Sequence, residues 1–237
     1  MRKLPILVVA ALFVGGLAGC SSPAPKSSGT KAVAESPRST SQSAAEAEPS
    51  NAKVEAVGFG RPAGSDYLWS SSIVSGVEPG QFAVVSFNLL GPDGKIVATE
   101  AQTEESINPN AKMIVGTQVK VPNGKEVTRV EASIGATDYK NTSKPKLQDV
   151  ILEVSDYAIG EDKYGQPTAE AIITNPSNQQ VKQARIGIAC FNDKGDIIGG
   201  GSNYPDLIPP GGKVKVDASV QVSQKPARCE MNARPSD

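Results

Sequence analysis

Histidine is absent from all 237 residues. No Ser/His/Asp or Cys/His relay can therefore be assembled, and the most frequent zinc ligand is missing too. Only three cysteines and one tryptophan occur, and aromatic residues make up 5% of the chain, too few for an aromatic-rich binding groove. Charge of neither sign dominates: 24 Lys and Arg face 25 Asp and Glu. No basic patch for nucleic acid results. Long apolar runs are also scarce, since a membrane span needs ~20 apolar residues and the longest stretch runs only from Leu4 to Leu17. No glycine-rich phosphate loop opens a helix.

What is present begins at the N-terminus, "MRKLPILVVAALFVGGLAGC". Two cations, an apolar stretch and small residues form an export signal. Leu17, Ala18, Gly19 and Cys20 resemble the lipobox of bacterial lipoproteins. The resemblance implies cleavage before Cys20 and a diacylglycerol on its thiol, so that 1–19 is signal peptide. Stable anchoring then takes more than one acyl chain, at ~0.8 kcal/mol per buried methylene. The alternative is an ordinary cleaved signal with a chance cysteine. Removing Arg2 and Lys3 leaves 22 cations against 25 anions.

From Ser21 to Ala52 the composition turns to Ser, Ala, Pro, Glu and Lys without an aromatic residue. Such a segment cannot bury enough apolar area to offset its ordering entropy. It is expected to be a disordered stalk with a reach of about 30 Å. An extracytoplasmic chain tethered at Cys20 keeps two further thiols, Cys190 and Cys229. Outside the cytosol an even pair is normally oxidised, so a Cys190–Cys229 disulfide is expected. Two buried free thiols are the alternative.

Beyond the stalk the chain repeats itself at an offset of 101 residues. "VSFNLLGPDGKIV" falls on "IGIACFNDKGDII", and "INPNAKMIVGTQVKV" on "IPPGGKVKVDASVQV". Met113, Val115, Thr117, Val119 and Val121 land on Val214, Val216, Ala218, Val220 and Val222. Period-two alternation in both copies marks strands with one apolar face. Both cysteines share the inward phase.

Each copy carries about six such runs. They are expected at 53–59, 67–74, 81–90, 95–102, 112–121 and 126–134, then at 150–159, 168–174, 182–191, 197–201, 213–222 and 228–233. Short strands with turn signals between them and no helical period predict an antiparallel sandwich. The expected fold is all-β: two tandem antiparallel Ig-like β-sandwich domains, 53–135 and 149–237, after a disordered stalk at 20–52 and joined by a linker at 136–148. The sequon at Asn141 falls in that linker.

One loop invites a metal reading, because Asn192, Asp193 and Asp196 surround Gly195 in "ACFNDKGDIIGG". The aligned stretch keeps the glycine as Gly94 but replaces Asp196 with Lys95. A type I turn with a glycine bulge explains what is kept, whereas calcium needs six to eight oxygens. The loop is read as a turn, and neither metal nor cofactor is expected. Gly199, Gly200 and Gly201 are read as a flexible or bulged strand end.

The second copy then resembles the FxLYD-type Ig-like domain of bacterial envelope lipoproteins. The matching features are Asn175 after a strand, Phe191 before Asp193 and Gly195, and Pro210–Gly211 before an alternating strand. The first copy matches more loosely, lacking the aromatic and the Asn. The resemblance implies a non-catalytic module with no fixed ligand.

Catalysis would have to rest on paired carboxylates such as Glu104, Glu105, Glu161 and Asp162, which are expected in solvated loops. Among aromatics, Trp69 and Tyr67 share one strand phase. Trp69 is either core or an exposed anchor. Tyr204, in a loop bounded by Gly and Pro, is placed for contact. The expected function is a lipid-anchored, non-enzymatic module that binds or assembles with another envelope protein; a solute- or glycan-binding lipoprotein is the alternative.

Overall fold

A computed structural model describes residues 51–108, 112–122, 124–138 and 150–236. The signal peptide, Cys20, all of the stalk but its last two residues, Asn141 and most of the linker lie outside the described residues. No helix occurs among the described residues.

The first copy consists of β1 (Lys53–Gly60), β2 (Tyr67–Ser75), β3 (Gln81–Leu90), β4 (Ile96–Glu105), β5 (Met113–Lys120) and β6 (Arg129–Asp138). They form two antiparallel sheets, ordered β1-β2-β5 and β4-β3-β6. The inward phase of the alternation fills the space between them: Val74, Val85, Phe87, Val115 and Val130 are buried together. Leu68, Leu89, Val119 and Val121 continue this core toward one end. The arrangement is a β-sandwich, each sheet burying one face against the other.

The second copy repeats the plan with β7 (Glu153–Glu161), β8 (Pro167–Thr174), β9 (Val181–Phe191), β10 (Ile197–Asn203), β11 (Asp206–Ile208), β12 (Lys213–Ser219), β13 (Gln221–Val222) and β14 (Arg228–Pro235). One sheet has the order β12-β8-β7; in the other, β14 and β10 flank β9. The repeat is thus topological as well as literal, with β1, β2, β3, β4, β5 and β6 corresponding to β7, β8, β9, β10, β12 and β14. Two differences have visible causes. Tyr204–Pro205 interrupts the counterpart of β4, leaving β10 and β11 as separate strands that both pair with β9. The single run expected at 213–222 breaks at Val220, after which β13 pairs with β10 instead of β8.

The two copies pack directly on each other. In β2 the outward residues Trp69 and Ser71 are buried, as are the inward Leu68 and Ser70. Ile73 and Ile114 of the first copy join Ala189, Phe191 and Ile197 of the second in one apolar cluster. The outer face of β1-β2-β5 therefore lies on the outer face of β9 and β10. Glycine makes this approach close: a Cβ at Gly60 would sit 2.0 Å from the Ile198 carbonyl oxygen, and one at Gly58 2.2 Å from that of Ile197.

Candidate functional site

Cys190 and Cys229 form a disulfide. They are direct cross-strand partners on β9 and β14, with both side chains in the core of the second sandwich. The bridge therefore ties a ladder that already exists and closes a loop holding β10 to β13.

The acidic candidates fare differently from expectation. Glu104 and Glu105 are the last residues of β4 rather than loop residues, and both are buried. Glu104 is only 3% exposed. It accepts hydrogen bonds from two arginines of the other copy: Arg185 Nε binds its Oε1, and Arg234 binds its Oε2 through Nη2 and, at 3.1 Å, through Nε. A carboxylate desolvated this far is tolerated because each oxygen meets a guanidinium. The group is a clamp across the seam. Glu161 ends β7, and it makes a long ion pair to Lys225, 3.8 Å. Asp162 Oδ1 accepts the Tyr164 and Gln166 backbone N–H groups, each at 2.8 Å, which makes it the organiser of the β7–β8 turn.

The three aromatic candidates separate. Trp69 is 8% exposed and shares the face of β2 that carries Ser71 and Ile73. Ser71 Oγ donates across the seam to the Ile188 carbonyl at 3.3 Å. Of the two places expected for Trp69, core or exposed anchor, it takes the buried one, on the face of β2 that meets the second copy. Tyr67, two residues earlier, emerges from the seam and is 41% exposed. Tyr204 is 48% exposed, and the Arg185 guanidinium lies over its ring at 5.1 Å from the centroid. Arg185 is itself fixed by Glu104. Sequence reasoning placed Tyr204 in a contact loop but missed Arg185 and Arg234, whose significance depends on a residue 81 and 130 positions away.

The Asn192 loop is a turn. Gly195 has φ of 87° and its N–H reaches the Asn192 carbonyl at 3.1 Å. Asn192 Oδ1 accepts the Lys194 and Asp196 N–H groups at 3.0 and 2.9 Å, so the oxygen a cation would need is engaged. The first copy builds the same turn on Gly94, φ 74°. Among the described residues, no cluster of three or more acidic or cysteine side chains is placed to hold a metal ion. Gly199 has φ of 135° at a register shift between β10 and β9. The triplet Gly199–Gly201 therefore lies in a bulged strand, and Gly200 faces the seam at Ser71. Asn175 is buried and saturated: its Nδ2 donates to the Gln179, Ile208 and Pro209 carbonyls, and its Oδ1 accepts from the Ser177 N–H and Oγ.

Sequence reasoning gave Tyr157 little weight, yet it stands between two open hollows. One, about 230 Å³, is bordered by Ile107, Met113, Leu152 and Met231. The other, about 330 Å³, is bordered by Ile159, Arg228 and Cys229. The Tyr157 hydroxyl donates to the Met231 carbonyl at 3.4 Å. Burial, aided by the nearby Glu230 charge, pushes its phenol above the ordinary tyrosine range. No protein-family model matches this chain, and no curated protein matches it either.

Proposed function

We propose that the chain is a lipid-anchored, extracytoplasmic envelope protein without a catalytic centre, whose paired sandwiches present one preformed surface to another envelope protein. The observation that carries this reading is the Arg185–Glu104–Arg234 clamp. The best-buried carboxylate is occupied in holding two copies together, and the same arginine steadies the exposed ring of Tyr204. A rigid, half-exposed tyrosine beside a fixed guanidinium suits a contact surface, where Tyr and Arg dominate binding energy. The lipobox-like segment and the FxLYD likeness support the compartment and the non-catalytic role.

Affinity capture of the full-length chain from crosslinked envelopes tests the reading. One stoichiometric partner is expected, with recovery reduced several-fold by Tyr204→Ala. Wild-type recovery of nothing above background would overturn it. For the anchor, Cys20→Ala is expected to leave the precursor uncut or to release the mature chain from membranes; unchanged membrane association would contradict lipidation.

The second reading, a solute or glycan ligand, is favoured by the hollows beside Tyr157. Their volumes sit near the lower end of small-molecule sites, roughly 300 Å³ and upward. Thermal stabilisation by cell-wall fragments, lost in Tyr157→Ala, would support it.

A further inference from the structure

Two guanidiniums share one carboxylate in the clamp, so Arg185, Arg234 and Glu104 together carry one positive charge in excess. A buried charge without a counterion is costly. Space for a counterion of any size lies on one side. Toward Arg185 the Tyr204 ring covers the guanidinium, and the cavity enclosed beside Glu104 is only about 10 Å³, the space of one water. Arg234 instead borders the open hollow of about 230 Å³ beside Tyr157. A guanidinium has five N–H donors. Among the described residues Arg234 makes three such bonds, two to Glu104 and one to the Pro235 carbonyl at 3.4 Å. Glu105, 7% exposed, borders the same hollow. The hollow therefore has a positive and a negative pole. Its remaining walls include Leu152, Val154, Met113 and Met231, and thioethers adapt readily to an apolar guest.

We propose that this hollow binds a small zwitterion with an aliphatic body, of the α-amino-acid class. Its carboxylate lies on Arg234, its ammonium on Glu105, and its side chain against Met113, Leu152 and Met231. Charge complementarity selects this class. A simple carboxylate would face Glu105, a simple amine would face Arg234, and like charges brought together are strongly unfavourable. A neutral apolar molecule would desolvate both poles and pair with neither. A carboxylate offers about four acceptor sites, so Glu105 takes an ammonium in addition to its existing contacts. The volume falls below the roughly 300 Å³ at which drug-sized sites begin, which suits a guest of amino-acid size. This ligand class rests on the second reading above, a solute beside Tyr157, and concerns a place other than the Tyr204 surface.

Isothermal titration of the full chain in a Cys20→Ser background, with the native disulfide intact, compares three probes: L-leucine, isocaproate, which lacks the ammonium, and isoamylamine, which lacks the carboxylate. Leucine is expected to bind at one site. Each half-ligand is expected to bind at least about tenfold more weakly, the loss of one charge-assisted hydrogen bond. Glu105→Gln is expected to weaken leucine about tenfold and to leave isocaproate no weaker. A merely structural role for Glu105 would weaken both alike or neither. Val154→Phe, which fills the hollow without touching either pole, is expected to abolish leucine binding. The three-probe comparison needs no variant, so it decides the matter even where Glu105→Gln fails to fold. No heat from leucine, equal affinity for leucine and isocaproate, or an equal effect of Glu105→Gln on both would each overturn the proposal. Stabilisation by cell-wall fragments without leucine binding would overturn the zwitterion while the solute reading stands; no response to either would remove both.

Discussion

Removing the Glu104 carboxylate would leave Arg185 and Arg234 facing each other in a largely dry space. Glu104→Ala is therefore expected to destabilise the protein by about 3–5 kcal/mol, the range for stranding a buried charge; urea denaturation measures it. Glu55 makes a contrasting case at the surface. The Lys112 ammonium, followed by the Ser75 hydroxyl, holds its carboxyl down at about 2. The folded value lies below the ordinary 4.5, so the contribution is complete above pH 4.5 and is lost as pH falls toward 2. A carboxyl-carbon NMR titration should place the Glu55 midpoint near 2, and Lys112→Ala should raise it. Replacing Cys190 and Cys229 together by alanine should cost about 4 kcal/mol in the chain-entropy treatment of a 39-residue loop.

At the scale of elements, the seam is built from residues that break the alternating pattern. The outward phase of β5 is polar at Gln118 and Lys120 but carries Ile114 and Gly116 farther back. In the second copy the positions matching Trp69, Ile114 and Gly116 are Glu170, Lys215 and Asp217. Glu170 and Lys215 are ion-paired at 2.7 Å. One copy's outer face is made for docking, and its counterpart is made for water. The alternation and its offset announced both sandwiches and the inward place of the cysteines. The exceptions to the alternation marked the seam, but only a partner surface gives Ile114 or Gly58 a meaning. Glu104 was misread for the same reason: an acid at a strand end looks solvated until its arginines arrive. Gly60→Val would drive a side chain into the Ile198 carbonyl. A loss of about 1–3 kcal/mol or more is expected, while circular dichroism should show the strands of each sandwich intact.

For the whole molecule, the consequence is coupling. The described residues of both copies fall in one compact unit, and the sole tryptophan lies where they meet. Thermal unfolding of the wild type is expected to be a single transition with coincident fluorescence and circular dichroism. In Gly60→Val, Trp69 emission should shift to the red before the strands melt, separating the two signals. Coincident signals in that variant would show that the copies part only when they unfold. By itself the sequence determined the all-β class, the two-fold repetition and the pairing of the cysteines, because period-two burial and chain spacing are local and additive. Only the tertiary structure decided that Trp69 is covered and that Glu104 is clamped. Each of these depends on which surface comes to rest against which, and no single strand carries that information.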